Sequence, residues 1–121
     1  MKKIVICSLV LLFISCAGTQ DSSPASIAEI VAESFYQRDE ATLKKHTTPE
    51  GFTTFSNLQK MFAKPKGSEI KFKLIDEVTE GEVAWVKYST AYDKTPGIFK
   101  LVKENDQWKV TVKHPKEQAP F

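Results

Sequence analysis

Neither sign of charge dominates this sequence. Its 121 residues carry 17 Lys and Arg against 15 Asp and Glu, a net charge of +2. Since nucleic acids and strongly acidic partners attract basic surfaces, the sequence gives no reason to expect either. Hydrophobic residues make up 41% of the chain and aromatic residues 11%, so a core can form and disorder of the whole chain is excluded. The length favours a single domain.

Residues that bind metals or attack substrates are scarce, with two cysteines and two histidines. His46 and His114 lie far apart in the sequence and have no paired acidic motif, so we expect no metal site and no cofactor. His46 is expected at a helix end, where its charge favours the helix dipole, and His114 is expected to be exposed. The sequence contains no glycine-rich phosphate loop, nucleophile elbow or HExxH motif.

The amino terminus contains one long hydrophobic run. Residues 4–14 are uncharged and almost wholly apolar, and they follow Lys2 and Lys3. As a helix the run spans about 16 Å, roughly half of the hydrocarbon core of a bilayer. It is too short for a transmembrane helix and has the length of the apolar region of a signal peptide.

The segment that follows, Ser15-Cys16-Ala17-Gly18, resembles the lipobox of bacterial lipoproteins. The resemblance implies that the Cys16 sulfur receives a diacylglyceryl group, that cleavage after Ser15 removes residues 1–15, and that the new amino terminus is acylated, for example with palmitate. Because several acyl chains anchor a protein stably, we expect an exported chain held on a membrane of the cell envelope, at its periplasmic or outer-membrane face. The alternative is an ordinary secretory signal cleaved near Ala17.

Cleavage would leave 15 cationic and 15 acidic side chains and would remove Cys7. Cys16, with its sulfur occupied, would then offer no disulfide and no thiolate nucleophile. Residues 16–24 are small and polar, which predicts a flexible tether, and residues 17–24 reach about 27 Å at most. The folded domain, residues 25–114, should therefore lie close to the membrane, and residues 115–121 form a polar tail.

A first helix is predicted over residues 25–37. Ser26 and Glu29 match a capping box, in which each side chain satisfies a free donor at the helix start. The apolar residues that fall on one helical stripe are Ile27, Ile30, Val31 and Phe35.

Two further helices follow. Asp39 is expected to cap a short helix over residues 40–46. Thr48 and Pro49 open a third helix, with threonine as the cap and proline in the first turn. The apolar residues at helical spacing in the third helix are Phe52, Phe55, Leu58 and Phe62.

Alternation of apolar and polar residues predicts four strands in the second half of the chain. The first contains Ile70, Phe72 and Leu74, and the second and third cover residues 82–92 and 98–103. The turns fall at Glu80-Gly81, at residues 93–97 and at Asn105-Asp106, a two-residue hairpin turn before the strand that contains Trp108, Val110 and Val112. Short turns predict an antiparallel meander with one buried face, on which the helices pack in an α+β two-layer domain.

Two segments carry a family resemblance: residues 30–36 with Arg38-Asp39 and Leu43, and residues 101–110. Over residues 25–114 the chain resembles the nuclear-transport-factor-2-like (cystatin-like) superfamily, in particular its small lipoproteins of the domain-of-unknown-function, lumazine-binding-like type. The resemblance implies a cone, in which N-terminal helices pack on a curved four-stranded antiparallel sheet. It also implies a pocket, since related cones act as isomerases, dehydratases and cyclases.

The candidate pocket-lining residues are Phe72, Asp76, Trp85, Tyr88, Tyr92 and Trp108. Asp76 is the only acidic residue in phase with the face of Ile70, Phe72 and Leu74, where it could act as an acid or base; the alternative is a solvated strand end. Tyr88 and Tyr92 share a face with Ala84 and Val86, opposite Trp85. A tyrosine there could donate to a ligand or could be a half-buried core residue.

Two functions are compatible with this pattern. The lack of an acid–base constellation favours a non-enzymatic, membrane-anchored module that binds a small molecule or a protein partner. The alternative is an isomerase- or dehydratase-like enzyme that uses Asp76 and a tyrosine. An enclosed cavity of about 300 Å³ or more, with a buried carboxylate facing an aromatic hydroxyl, would favour the enzyme.

Overall fold

The structure of the protein is a computed structural model that describes residues 23–62, 64–65 and 69–121. The expected signal peptide, the cleavage site after Ser15, the lipidated Cys16 and most of the tether lie outside the described residues. Helix α1 spans Pro24–Tyr36, α2 spans Glu40–Lys45 and α3 spans Pro49–Phe62. The strands are β1 (Lys73–Glu80), β2 (Val83–Ser89), β3 (Gly97–Glu104) and β4 (Gln107–Thr111). Of the helices in this part of the chain, none is long and apolar enough to cross a bilayer.

The N-cap of helix α1 lies three residues before the expected cap, Ser26. Ser23 is its N-cap, and the Ser26 backbone N–H donates to the Ser23 hydroxyl at 3.2 Å. The predicted capping box of Ser26 and Glu29 is therefore wrong. Pro24 explains the difference, because proline lacks an N–H and its fixed φ suits the first helical position.

The starts of α2 and α3 are confirmed. The Asp39 carboxylate accepts a hydrogen bond from the Thr42 backbone N–H at 3.2 Å, and the Thr48 hydroxyl accepts one from the Gly51 N–H at 3.0 Å. His46 is the C-cap of α2, as expected, and its Nδ1 lies 2.9 Å from the carbonyl oxygen of Thr42.

Helix α3 follows the predicted apolar stripe in its first half, where Phe52 and Phe55 pack against the core, and is rotated away from it in its second half. Its buried residues are Gly51 and Gln59, whereas Leu58 and Phe62 are 40% and 52% exposed. The Gln59 amide Nε2 donates to the carbonyl oxygens of Ser34 at 3.0 Å and Phe35 at 2.9 Å, in the last turn of α1. These two hydrogen bonds fix Gln59 against α1 and place Leu58 and Phe62 at the surface.

The four strands form one antiparallel sheet in the order β1-β2-β3-β4, which confirms the α+β class and the meander. The turn between β3 and β4 is Asn105-Asp106, with φ angles of 51° and 62°. Asn and Asp tolerate this left-handed backbone, which matches the twist of a two-residue hairpin. All three helices contribute to burial against one face of the sheet, where the fully buried side chains include Val31, Leu43, Val86, Leu101 and Val110.

Strand β1 departs from the predicted alternation. Its pairing with β2 is irregular between Leu74 and Asp76, and Lys71, just before the strand, has a φ of 52°. Ile70 is buried, but Leu74 is 48% exposed although it pairs with Tyr88 of β2. The bulge follows Leu74 and places Asp76 opposite Lys87 instead of on the face of Leu74. Asp76 is exposed too, so its predicted phase with an inward face is wrong.

The polar tail lies against the outer face of the sheet. Lys100 of β3 forms an ion pair with Glu117 at 2.7 Å, and the Glu117 carboxylate also accepts the backbone N–H of His114 at 3.2 Å. The Lys100 ammonium lies 5.9 Å from the ring of Trp85, which is only 4% exposed. Trp85 thus faces away from the helices. Lys100 contacts both the Trp85 ring and Glu117 of the tail. His114 is exposed, as expected.

Candidate functional site

A cavity of about 550 Å³ lies between the C-terminal halves of α1 and α3, strands β2 and β3, and the loop that joins these strands. Seven of its thirteen lining residues are aromatic: Phe35, Tyr36, Phe55, Phe62, Tyr88, Tyr92 and Phe99. The exposed Leu58 and Phe62 of α3 also line it, so the rotation of α3 gives the cavity an apolar rim. Ligand sites usually have this size and this mostly apolar lining.

Tyr88 lies across the floor of the cavity. Its ring stacks on Phe72 with the centroids 5.2 Å apart and contacts Phe99 at 4.7 Å. It also passes over Gly97, where an added Cβ would lie 2.6 Å from the Tyr88 Cζ. A glycine at the start of β3 therefore makes room for the phenol.

The Tyr88 hydroxyl is available to a ligand. In the described part of the chain, no protein group hydrogen-bonds this hydroxyl, and it is not fully enclosed. Burial, and to a smaller extent the proximity of Tyr36 and Asp93, raises the pKa of Tyr88 above its ordinary value of 10.0. At neutral pH the group is thus a phenol that can donate one hydrogen bond into the cavity.

A cluster of polar side chains surrounds Asp93, which lies in the loop between β2 and β3. The hydroxyls of Tyr36 and Thr90 both donate to Asp93 Oδ2 at 2.8 Å. Burial, together with the hydrogen bond to Asp93 and the charge of that carboxylate, raises the pKa of Tyr36 to about 12. These bonds tie the loop to the end of α1 and keep the Asp93 carboxylate, which is exposed, beside the cavity.

Lys64 and Asp93 are the two charged residues among the lining residues. The Lys64 ammonium lies 4.9 Å from the centroid of the Tyr92 ring, and the Lys64 backbone N–H donates to the Tyr36 carbonyl at 2.7 Å. The Tyr92 ring in turn lies 5.3 Å from the Tyr36 ring. The mouth of the cavity therefore combines two tyrosine rings, one ammonium and one carboxylate.

Of the six candidate pocket-lining residues predicted from the sequence, Tyr88 and Tyr92 line this cavity. Phe72 packs behind Tyr88, and Trp108 is a buried member of the core. Trp85 lies on the outer face of the sheet, and Asp76 is exposed on β1. The structure therefore does not bring Asp76 together with a cavity tyrosine.

Sequence reasoning missed Asp93 and Tyr36 as polar residues of the site. The sequence pattern places Asp93 only in a turn and Tyr36 only in a segment of family resemblance. One available indication was the spacing of Thr90 and Asp93, since a threonine three residues from an aspartate in a loop favours local side-chain hydrogen bonds. Their contact with Tyr36, 57 positions from Asp93, could not be inferred from local sequence.

In the described ranges, no group of three or more His, Cys, Asp and Glu side chains is arranged to hold a metal ion. Comparisons of the chain with protein-family models, with curated proteins and with solved structures find no match.

Proposed function

We propose that this chain is a membrane-anchored lipoprotein of the bacterial cell envelope whose domain binds a small, mainly apolar molecule without transforming it. The anchoring half of the proposal rests on the lipobox-like segment at Ser15-Cys16, and the resemblance to nuclear-transport-factor-2-like lipoproteins agrees with it. The binding half rests on the domain itself.

The observation that carries the binding proposal is the aromatic cavity with its unpartnered hydroxyl. Aromatic rings bury large apolar areas with few rotatable bonds, so they bind a flat or elongated apolar ligand at low entropic cost. The Tyr88 hydroxyl would supply one directional hydrogen bond to an oxygen or nitrogen of the ligand. A few polar groups in an apolar lining are what fixes a ligand's orientation.

The arrangement of the carboxylate supports binding over catalysis. An isomerase or dehydratase of the kind considered above needs an acid–base group buried beside the substrate. Asp93, the carboxylate in the cavity lining, is exposed, and its Oδ2 already accepts hydrogen bonds from two hydroxyls. Because Asp93 is exposed and already hydrogen-bonded, it lacks the buried position that an acid–base catalyst needs, so we favour a non-enzymatic role.

The binding proposal is tested with Nile red, a neutral dye that fluoresces in apolar surroundings. Leu58→Gln, at the cavity rim, is expected to weaken Nile red binding about tenfold, since it removes apolar contact area worth about 1–2 kcal/mol. Ile75→Gln is the matched control, because Ile75 is 48% exposed against 40% for Leu58, lies on β1 and is not among the lining residues of the cavity. Equal binding by both variants, or no dye binding by the parent chain, would contradict the proposal.

The anchoring proposal has its own test in a bacterial host. Cys16→Ser is expected to abolish incorporation of a labelled fatty acid and to leave the precursor uncleaved, because the lipid is attached to the cysteine sulfur. Ser15→Ala, which keeps a small residue before the cysteine, serves as the control that retains labelling. Normal processing and membrane retention of the Cys16→Ser chain would end the lipoprotein interpretation.

A further inference from the structure

The mouth of the cavity already binds an ammonium group that belongs to the chain itself. The Lys64 ammonium lies 4.9 Å from the Tyr92 ring centroid, the shortest cation–ring contact in the described part of the chain, where the others measure 5.5–5.9 Å. Cations within about 6 Å of an aromatic face are attracted by the negative potential of the ring. Tyr36, whose ring centroid is 5.3 Å from that of Tyr92, adds a second ring.

A carboxylate with a free oxygen is among the lining residues of the same cavity. Both hydroxyl donors, from Tyr36 and Thr90, bond to Asp93 Oδ2. Among the described residues, no group hydrogen-bonds Asp93 Oδ1, and no cation lies within ion-pair distance of Asp93. The cavity mouth therefore presents two electron-rich rings and one unpaired carboxylate oxygen, and its one cation is held on a flexible lysine stem.

From this arrangement we infer that the ligand is an organic cation, an alkylammonium whose head group binds between Tyr36, Tyr92 and Asp93 and whose apolar body lies on Tyr88 and Phe99. The inference rests on the proposed binding function and names the chemistry of its ligand. In this structure the Lys64 ammonium occupies only the Tyr92 side of that position, and it moves aside when the ligand binds.

An anionic ligand fits the site less well. Its head group could pair with Lys64, but only by leaving the Tyr92 ring without its cation and by approaching the Asp93 carboxylate. Two like charges brought close together repel each other, so this approach weakens the binding of an anion. A cationic ligand instead replaces one ammonium by another on the same ring and gains the Asp93 carboxylate.

Three probes of equal chain length distinguish cationic, neutral and anionic ligands: octylammonium, 1-octanol and octanoate. Each is titrated calorimetrically into the full mature chain. Octylammonium is expected to bind about tenfold more tightly than 1-octanol, the gain typical of a partly desolvated cation on aromatic rings, and octanoate more weakly than 1-octanol. Octanoate binding as tightly as octylammonium would overturn the inference but leave the cavity as a ligand site. Failure of all three to bind would overturn both.

Variants identify the groups responsible. Asp93→Asn is expected to weaken octylammonium about tenfold and to change 1-octanol binding by less than about twofold, as the loss of one charge-assisted contact predicts. Lys64→Met removes the competing ammonium, so octylammonium should bind several-fold more tightly. This gain cannot arise from a misfolded chain.

Lys94→Met is the matched control for Lys64→Met. Lys94 is next to Asp93 in the sequence and exposed, but it does not line the cavity, so the variant removes the same charge without vacating a ring. It should change octylammonium affinity by less than about twofold. Equal gains from Lys64→Met and Lys94→Met would show only a general charge effect and would overturn the head-group site.

Discussion

Replacing Gln59 by methionine tests how the cavity acquires its apolar rim. Gln59 is 4% exposed, and its amide donates to the carbonyls of Ser34 and Phe35 at 3.0 and 2.9 Å. Methionine has a similar length and helix propensity, so it retains the packing and loses both hydrogen bonds.

The expected loss of stability depends on the hydrogen bonds that the Ser34 and Phe35 carbonyls keep. The Ser34 carbonyl still accepts the Asp39 N–H at 2.9 Å, and the Phe35 carbonyl still accepts the Arg38 N–H at 3.4 Å. Each lost bond should therefore cost the net value of a hydrogen bond, about 0.5–1.5 kcal/mol, which gives about 1–3 kcal/mol for both. For a domain of this size, a loss of about 2 kcal/mol lowers the unfolding midpoint by roughly 8–16 °C.

The assay is thermal unfolding followed by circular dichroism, with Nile red binding measured on the same samples below the midpoint. Asn57→Met is the matched control, since Asn57 is an exposed neighbour on the same helix and should change the midpoint little. The variant should also weaken Nile red, because Gln59 sets the rotation of α3 that places Leu58 and Phe62 at the rim. An unfolding midpoint within about 2 °C of the parent chain would refute this reasoning.

Two further predictions concern Gly97 and the tail. Gly97→Ala places a Cβ 2.6 Å from Tyr88 Cζ, so the phenol must move. We expect the free energy of unfolding in urea to fall by about 1–3 kcal/mol and the NMR signal of the Tyr88 ring to shift. A ring signal that stays unshifted would contradict the proposed contact. For the tail, hydrogen bonds from Lys100 and from the His114 backbone lower the pKa of Glu117 below its ordinary value of 4.5. A lowered pKa in the folded state means that the contact is stabilising above pH 4.5 and is lost as the pH falls below it. In a Trp108→Phe chain, the Trp85 fluorescence should therefore shift to the red on acidification, and Glu117→Gln should abolish that transition; an acid transition of the same size in the Glu117→Gln chain would contradict the assignment.

The parts of the fold that local chemistry determines could be predicted from the sequence. Asp39 and Thr48 each precede a helical segment and satisfy its first free N–H groups, and Asn105-Asp106 adopts the left-handed angles that a two-residue hairpin requires. Each of these features depends on neighbours within a few residues. The order of helices and strands followed from the same local patterns.

Features that depend on distant contacts could not be predicted. The rotation of α3 depends on the hydrogen bonds from Gln59 to the end of α1, 24 and 25 positions away. The outward turn of Asp76 follows from a bulge in the pairing of β1 with β2, which places Asp76 opposite Lys87. The polar side of the cavity depends on Tyr36 reaching Asp93 across 57 positions. In all three cases a long-range polar or backbone contact overrides the local hydrophobic pattern.

The most direct test of the central claim is to locate a bound molecule in the cavity. We expect an isotope-filtered NMR spectrum of the labelled chain with Nile red to show nuclear Overhauser effects from the dye to the ring protons of Phe55, Tyr88 and Phe99. Effects confined to exposed apolar residues outside the cavity, such as Met61 on α3 or Ile75 on β1, would contradict the account.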